Sequence, residues 1–291
     1  MNKRSLFTIS ASVLALISIG FIYIRFFGYP GHGSKESVSF FAMDTYMTVS
    51  ATGANAQDAL ERVRIRIEDL EKLLDPEAPE SPVYALDHGE VINPTDDLTV
   101  LVNCSLEYST LTNGAFNVLV YPLVKEWGFI SKEYNIPKED RIEELCALVA
   151  SSGFITDESP VTLRLSKGAE ADFGAIAKGY ATEKSVEILK EAGIKSALIN
   201  LGGNIYALGS KENGSPWKVA VKRPGSGSSY LGTLKVTDTA VITSGSYERF
   251  FERNGKRYHH IIDPYTGYPA ESGLASVTIV ASDPTLADAL S

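Results

Sequence analysis

An acid, a glycine turn and a lysine follow one another in residues 171–181, Ala-Asp-Phe-Gly-Ala-Ile-Ala-Lys-Gly-Tyr-Ala. An alternating apolar pattern over 161–165 predicts a strand before the acid, and the glycines predict the start of a helix that ends at Gly193. Unpaired N–H groups and the helix dipole favour a phosphate at such a start. Lys178 can add a positive charge there, and Asp172 can accept a hydrogen bond from a base, a sugar or a ring N–H. An ordinary strand-to-helix turn with an N-terminal acid is an equal alternative, because glycine-rich turns are weak signals.

Two polar segments near the C-terminus lie where predicted strands end. Residues 241–249 precede a hairpin whose Asn254-Gly255 pair is typical of a type I′ turn, and residues 259–269 follow it. His259 and His260 are two of the four histidines of the chain, and an Asp-Pro turn comes shortly after them. Neutral imidazole is the usual general base near pH 7, so the adjacent pair indicates a functional site.

The remaining periodicity predicts an α+β fold with mostly antiparallel sheet and flanking helices. Apolar residues at helical spacing predict helices over about 55–75, 95–111, 138–151 and from Asp283 onwards. Alternating apolar residues predict strands at 38–50, 217–221, 231–236 and 276–280. The aromatic stretch 115–129 can line a flat hydrophobic pocket or belong to the core, and its composition favours the core.

Residues 1–34 differ from the rest and predict an N-terminal membrane anchor or signal segment with a linker. Lys3 and Arg4 precede an apolar run from about Leu6 to Tyr23, which is long enough to span a bilayer. No small-x-small cleavage pattern follows the run, so an uncleaved anchor is favoured over a cleaved signal peptide. The positive-inside rule then keeps the N-terminus cytoplasmic and places the body outside the cytoplasm.

The body, residues 35–291, contains no linker-like stretch apart from the short loop from Pro224 to Ser229, and it is predicted to be one continuous unit. With Lys3, Arg4 and Arg25 set aside, it carries 24 basic and 36 acidic side chains. This acidic balance excludes nucleic acid as an expected partner.

Five sequence blocks resemble the ApbE-type FAD:protein FMN transferases in order and spacing. The resemblance covers about Phe41 to Ser291. The blocks are Asp172-Phe-Gly-Ala-Ile-Ala-Lys-Gly-Tyr-Ala181, Asn200-Leu-Gly-Gly-Asn-Ile205, Thr243-Ser-Gly-Ser-Tyr-Glu-Arg249, His260-Ile-Ile-Asp-Pro-Tyr-Thr-Gly-Tyr-Pro269 and Ala287-Asp-Ala-Leu-Ser291.

The resemblance implies two interleaved lobes with FAD in the cleft between them. It also implies that FAD is the substrate and Mg²⁺ the cofactor. The FMN half would be moved onto a Ser or Thr hydroxyl of an acceptor flavoprotein of an electron-transport system, outside the cytoplasm, with release of AMP. Such chemistry needs charge neutralisation at phosphorus and a base for the attacking hydroxyl.

The same resemblance assigns roles to individual residues. FAD contacts are expected from Met43 in the opening strand, Ala115, Phe116, Asn117, Asp172, Lys178, His260 and Ile261. Many members of the family have Asp where this chain has Asn117, which retains hydrogen bonding but not the charge. The Mg²⁺ ligands implied are the Ala175 carbonyl and Asp288, with a further Thr expected just beyond Ser291, so the chain is expected to be C-terminally truncated. The catalytic candidates are Asp288 and the base His260, with His259 a weaker base, while Arg249 and Tyr247 either line the site or support it.

Two alternatives remain open at the level of sequence. Water in place of the acceptor hydroxyl would make the chain a Mg²⁺-dependent FAD pyrophosphatase that gives FMN and AMP. A membrane-tethered FAD-binding protein without catalysis is the second alternative.

Overall fold

A six-stranded antiparallel sheet is the centre of the fold in the computed structural model, which describes residues 34–225 and 229–291. Its strand order is β1-β2-β5-β6-β9-β12, with bounds β1 (Lys35–Ala42), β2 (Thr45–Thr52), β5 (Ser196–Leu201), β6 (Asn204–Leu208), β9 (Thr239–Gly245) and β12 (Ser276–Ala281). Three separate hairpins are formed by β3 (Phe154–Glu158) with β4 (Val161–Leu165), β7 (Trp217–Lys222) with β8 (Tyr230–Val236), and β10 (Phe250–Arg253) with β11 (Lys256–His259). The predicted α+β class with antiparallel sheet is therefore confirmed.

The opening strand predicted over 38–50 is wrong as a single element. It is two strands, β1 and β2, joined by a two-residue turn at Met43 and Asp44, which have φ values of 49° and 56°. Positive φ at both central residues defines a type I′ turn. The Met43 N–H donates to the Glu71 Oε1 at 2.6 Å, which helps to hold a turn that contains no glycine.

Seven α-helices lie within the described residues, and the five predicted ones are among them. Their bounds are α1 (Ala56–Leu74), α2 (Pro82–Asp87), α3 (Asp96–Leu111), α4 (Tyr121–Glu126), α5 (Glu139–Ser151), α6 (Gly174–Glu191) and α7 (Pro284–Ala289). Asp283 caps α7 by accepting the Leu286 N–H at 2.9 Å, as its position before Pro284 predicts. The turn at Asn254 and Gly255 is also confirmed, since both residues have positive φ.

Two large hydrophobic cores organise the described part of the body beside a smaller third one between β6, β7, β8 and β9, and each of the two is built from segments that are far apart in sequence. The main core lies between the sheet and helices α1, α3 and α6, and the apolar stripe of α1 is buried in it. The second core joins α4, α5 and the β10–β11 hairpin around Trp127 and Phe129. The stretch 115–129 is therefore largely core, as its composition predicts, and the two cores give the interleaved organisation.

The predicted membrane segment, Leu6 to Tyr23, lies outside the described residues. Among the helices that are described, none has the length and apolar character needed to cross a bilayer.

Candidate active site

Two tight turns meet at one end of the main sheet and place Met43 at its edge. The Met43–Asp44 turn precedes Thr45, and the β5–β6 turn contains Gly202 and Gly203. A Cβ on Gly202 would lie 2.4 Å from the Thr45 Oγ1, and Gly202 has a φ of 63°. Both the close approach and the backbone conformation therefore require glycine at position 202.

Asp288 lies where α7 packs against α6 and the sheet, and its side chain is buried. Its Oδ2 accepts the Gly179 N–H at 2.7 Å, and its Oδ1 accepts an amide hydrogen of Asn204 at 2.9 Å. Both carboxylate oxygens are thus hydrogen-bonded by groups 109 and 84 residues away in sequence. The Asn204 side chain, which follows the glycine turn of the Asn200–Ile205 block, is a site partner that sequence reasoning did not identify.

Gly179 allows this close packing because it has no side chain. A Cβ at this position would lie 2.4 Å from the Pro284 carbonyl oxygen, 2.7 Å from the Asp288 Cβ and 2.9 Å from the Thr285 Cα. Two of these three neighbours are backbone atoms, which cannot rotate away. Gly179 is therefore needed for the contact between α6 and α7 rather than for a flexible turn.

Ala175 lies one turn before Gly179 in α6, and Gly179 donates its N–H to the Asp288 carboxylate. In a regular α-helix the N–H of residue 179 points towards the carbonyl of residue 175, so helix geometry predicts that this carbonyl lies near the carboxylate. Backbone carbonyl and carboxylate oxygens are the ligands that Mg²⁺ prefers. In residues 34–225 and 229–291, no group of three or more His, Cys, Asp or Glu side chains is arranged to hold a metal ion.

Asp172 is held at the start of α6 by backbone hydrogen bonds on both sides. Its N–H donates to the Val118 carbonyl at 2.8 Å, and its Oδ1 accepts the Gly174 N–H at 2.8 Å. Burial raises the pKa of Asp172, while the Gly174 N–H and the positive charges of Arg249 and Lys178 act in the opposite direction.

The start of α6 has few N–H groups left for a phosphate. The Gly174 N–H is taken by Asp172, and the Ile176 and Ala177 N–H groups donate to the Phe173 carbonyl. This arrangement favours the ordinary turn with an N-terminal acid over a backbone phosphate cradle. Positive charge near α6 comes instead from Lys178.

The segment 115–117 lies beside Asp172, but its three residues differ in what they expose. Ala115 is exposed, and Asn117 caps the short 3-10 helix Val118–Val120 by accepting the Leu119 N–H at 2.9 Å. Phe116 is buried in the main core, where its ring packs edge-on against Tyr108. The side chain of Phe116 is therefore a core residue, and the part of this segment that faces outward is Ala115.

His260 lies at the boundary of the second core, where its ring is fixed by the backbone. Its Nδ1 is 3.1 Å from the Arg249 carbonyl oxygen, and its ring packs edge-on against Phe129. A carbonyl oxygen only accepts, so Nδ1 carries the hydrogen and Nε2 carries the lone pair. Burial, the largest cause, together with the positive charges of Arg249 and Lys178, lowers the pKa of His260 to about 4, while the hydrogen bond to the Arg249 carbonyl acts in the opposite direction.

The neighbours of His260 have supporting positions. His259 turns its Nε2 to the Ala270 carbonyl at 3.1 Å, and burial lowers its pKa. The ring of Tyr247 packs against Gly245, where a Cβ would lie 2.6 Å from its Cε1, so Tyr247 supports the turn. Ile261 is partly exposed, and its carbonyl accepts the Ala270 N–H at 2.9 Å.

Arg249 links the part of the site around Asp172 to the part around His260. Its guanidinium donates to the Phe129 carbonyl at 2.8 Å, and its charge acts on both Asp172 and His260. Lys178 also acts on both groups. The structure thus brings together an acid, two cations and a neutral imidazole from α6, from the segment after β9 and from the segment after β11.

Solved structures identify the class to which this fold belongs. The ApbE protein from Thermotoga maritima MSB8 matches with a TM-score of 0.82 at 29% sequence identity, covering 89% of this chain and 85% of that one. The apo form of the flavinyl transferase ApbE from Pseudomonas stutzeri matches with a TM-score of 0.78 at 28% identity, covering 90% and 84%. The protein has the fold of solved ApbE flavin transferases.

Sequence comparison agrees with the structural match. The sequence model of the ApbE family matches residues 43–291. A FAD:protein FMN transferase of Klebsiella pneumoniae (strain 342) is 36% identical over 227 residues, 76% of this chain and 70% of that protein. The enzyme of the same name in Treponema pallidum (strain Nichols) is 36% identical over 255 residues, 81% of this chain and 70% of that protein. The chain belongs to the ApbE family, which confirms the resemblance seen in its sequence.

Proposed function

We propose that this protein is an enzyme that transfers the FMN half of FAD onto a Ser or Thr hydroxyl of an acceptor protein and releases AMP. Relatives with the name FAD:protein FMN transferase, at 36% identity over most of the chain, support flavin transfer as its activity. The observation that carries the proposal is the position of the neutral His260 imidazole close enough to Lys178 and Arg249 for their positive charges to lower its pKa. A base beside two cations suits a reaction in which a hydroxyl attacks a phosphorus atom.

His260 would accept the proton of the acceptor hydroxyl. Its Nδ1–H is held by the Arg249 carbonyl, so Nε2 is the basic atom. The hydroxyl oxygen forms a bond to the FMN phosphorus, its proton passes to Nε2, and the bond from that phosphorus to the bridging oxygen breaks. AMP leaves with the electron pair of that bond. The negative charge of bound FAD would raise the pKa of His260 and make it a stronger base in the complex.

The charged neighbours would bind and orient FAD. Lys178 and Arg249 offset the negative charge of the pyrophosphate, which increases as the bond to AMP breaks. Asp172 presents a carboxylate that can accept a hydrogen bond from a ring N–H of FAD. Ala115 and Met43 provide small and flexible apolar contacts at the edges of the site.

Mg²⁺ fits the pair formed by the Ala175 carbonyl and Asp288. The carboxylate is held in place by Gly179 and Asn204, so one hard oxygen ligand is fixed by the fold. When bound, the ion would neutralise charge on the phosphates of FAD. Its preference for oxygen ligands agrees with the donors present.

We infer further that the acceptor is a flavoprotein of an electron-transport system and that the body lies outside the cytoplasm, attached to a membrane. The support for attachment is the apolar run after Lys3 and Arg4. Protease treatment of intact and permeabilised spheroplasts tests this location. Cleavage of the body only after permeabilisation would contradict it.

Intact-mass spectrometry of an acceptor protein tests the proposed reaction. The chain is incubated with FAD, Mg²⁺ and an acceptor that contains an Asp-x-x-Ser/Thr-Gly-Ala-Ser/Thr segment. We expect a mass gain of one FMN and release of AMP. His260→Gln should abolish the gain while FAD binding persists, whereas His259→Gln, the matched control, should retain it.

The other outcomes correspond to the alternatives. Free FMN and AMP beside an unmodified acceptor would identify a pyrophosphatase. Unchanged FAD that nevertheless binds to the protein would identify a flavin-binding protein without catalysis.

A further inference from the structure

Asp87 is a partly buried acid that lies one residue away from the candidate flavin site. It is the last residue of α2, and its Oδ1 accepts the Ala171 N–H at 2.8 Å. Ala171 is fully buried and directly precedes Asp172. A side chain from a distant part of the sequence, 84 residues earlier, therefore holds the backbone next to Asp172.

The surroundings of Asp87 are unfavourable for a carboxylate. Its Oδ2 is buried and has no hydrogen-bond partner among the residues that the structure describes. The negative end of the α2 dipole lies at this position, and Glu170 and Asp172 add further negative charge. Burial, the largest cause, raises the pKa of Asp87 to about 7, while the Ala171 N–H and the charge of Lys125 act against this rise.

A carboxyl group with the surroundings of Asp87 reduces the stability of the folded protein. The hydrogen bond that it accepts from the Ala171 N–H is nevertheless specific. Three interactions hold the segment 170–172 against other parts of the fold, and the Asp87 hydrogen bond is one of them. The second is the bond from the Asp172 N–H to the Val118 carbonyl, and the third is the ion pair between Lys125 and Glu170 at 2.5 Å. Asp87 is the side chain that fixes the peptide directly before Asp172.

We propose that Asp87 is a positioning residue of the flavin site, which fixes the Ala171–Asp172 segment and, through its own charge, sets how strongly the site binds anionic FAD. The inference rests on the proposed function, because it takes Asp172 as a contact of FAD. Protonated Asp87 keeps the hydrogen bond from Ala171 and adds no negative charge. Ionised Asp87 keeps the same bond but repels both Asp172 and the phosphates of FAD.

The affinity for FAD should therefore fall as the pH rises through neutrality. Other charged groups face Asp87 from the elements around it: Glu170 and Asp172 before α6, Lys125 on α4, and His88, Arg164 and Lys167 around an adjoining cavity of about 410 Å³. His88 is the neighbour that a control must address, because it directly follows Asp87 in the sequence and lines the same cavity. His260, whose pKa is about 4 and is expected to rise when FAD binds, is replaced by Gln in all the proteins compared below, the otherwise unaltered chain included.

Binding of FAD with EDTA present, followed by flavin fluorescence at pH 6 and pH 8, tests the proposal without turnover. In the unaltered chain we expect the affinity for FAD to be about 3- to 10-fold lower at pH 8 than at pH 6. An effect of this size is expected when one negative charge appears near an anionic ligand and is partly screened by solvent and ions. Asp87→Asn keeps an oxygen acceptor for Ala171 without the charge, so it should bind FAD equally at both pH values. His88→Gln, the control, should show the same pH dependence as the unaltered chain.

Asp87→Ala removes the acceptor and should weaken FAD binding about 10-fold at both pH values, with rescue in Asp87→Asn. If Asp87→Ala fails to fold, the comparison of Asp87→Asn with His88→Gln still decides. A pH dependence that persists in Asp87→Asn would overturn the inference while leaving the proposed function intact. No FAD binding by the unaltered chain at either pH would overturn both.

Discussion

Asp288 and Asp172 are two acids of one candidate site with opposite surroundings. Asp288 is buried and has a hydrogen bond to each oxygen, from the Gly179 backbone and the Asn204 side chain. The structure supplies the Oδ1 of Asp172 with a single N–H, from its own turn at Gly174, and burial raises its pKa. One end of the site is therefore completed by the fold, whereas at the other end Asp172 keeps hydrogen-bonding capacity that the proposed FAD substrate would use.

This difference agrees with the two proposed tasks. A metal ligand has to be held in a fixed place before the ion arrives, and the contact between α6 and α7 does this for Asp288. A group that binds a large organic substrate has to exchange water for the substrate, so its hydrogen-bonding capacity is left open. The comparison predicts that changes at the Asp288 end reduce stability, whereas changes at the Asp172 end mainly reduce ligand binding.

Gly179→Ala should have the largest effect on stability. The new methyl group would lie 2.4 Å from the Pro284 carbonyl oxygen, so α7 has to move away from α6. Overpacking of this kind costs about 1–3 kcal/mol, and displacement of Asp288 should also abolish flavin transfer. Urea unfolding measures the loss, with Gly153→Ala as the control, because a Cβ at Gly153 meets no atom within 4 Å. Equal stability of the two variants would show that the α6–α7 contact is not tight.

Asp288→Asn should have the second largest effect. An amide cannot accept hydrogen bonds through both of its polar atoms, so either the Gly179 N–H or the Asn204 amide is left facing another donor. An unsatisfied buried donor costs about 1–3 kcal/mol. Thermal unfolding without Mg²⁺ isolates this effect from loss of the metal. An unchanged unfolding temperature would mean that Asp288 is not held as the structure indicates.

Much of the fold could be predicted from the sequence because its signals are local. The apolar stripes of α1, α3 and α5 correspond to one face of each helix, and the Asn254-Gly255 turn has a strong chemical preference for its conformation. The Met43–Asp44 turn was missed because Met rarely adopts positive φ and no glycine marks the turn, and because the alternating pattern continues on both sides of it. What holds this turn is Glu71, whose hydrogen bond spans 28 residues and leaves no sequence pattern.

The candidate site could be predicted less completely, for a related reason. The sequence blocks indicated Asp172, Lys178, His260 and Asp288, and the structure brings the first three into one electrostatic environment with Arg249. The partners that fix these residues were not visible, because Asn204, the Arg249 carbonyl and Asp87 act through contacts between distant segments. Burial also decides which atoms are available, and sequence did not show that the Phe116 side chain lies in the core.

Asp172→Asn should have the smallest effect on stability and so tests the other half of the comparison. The amide oxygen can still accept the Gly174 N–H, and no buried charge remains. Because the folded state raises the pKa of Asp172, the ionised carboxylate costs stability at pH values above its unfolded pKa, and the neutral amide removes that cost. We therefore expect unchanged or slightly higher stability in urea at pH 7, together with clearly weaker FAD binding, since a charged acceptor is lost. A loss of stability as large as that of Asp288→Asn would show that both acids are structural, and the distinction between the two ends of the site would not hold.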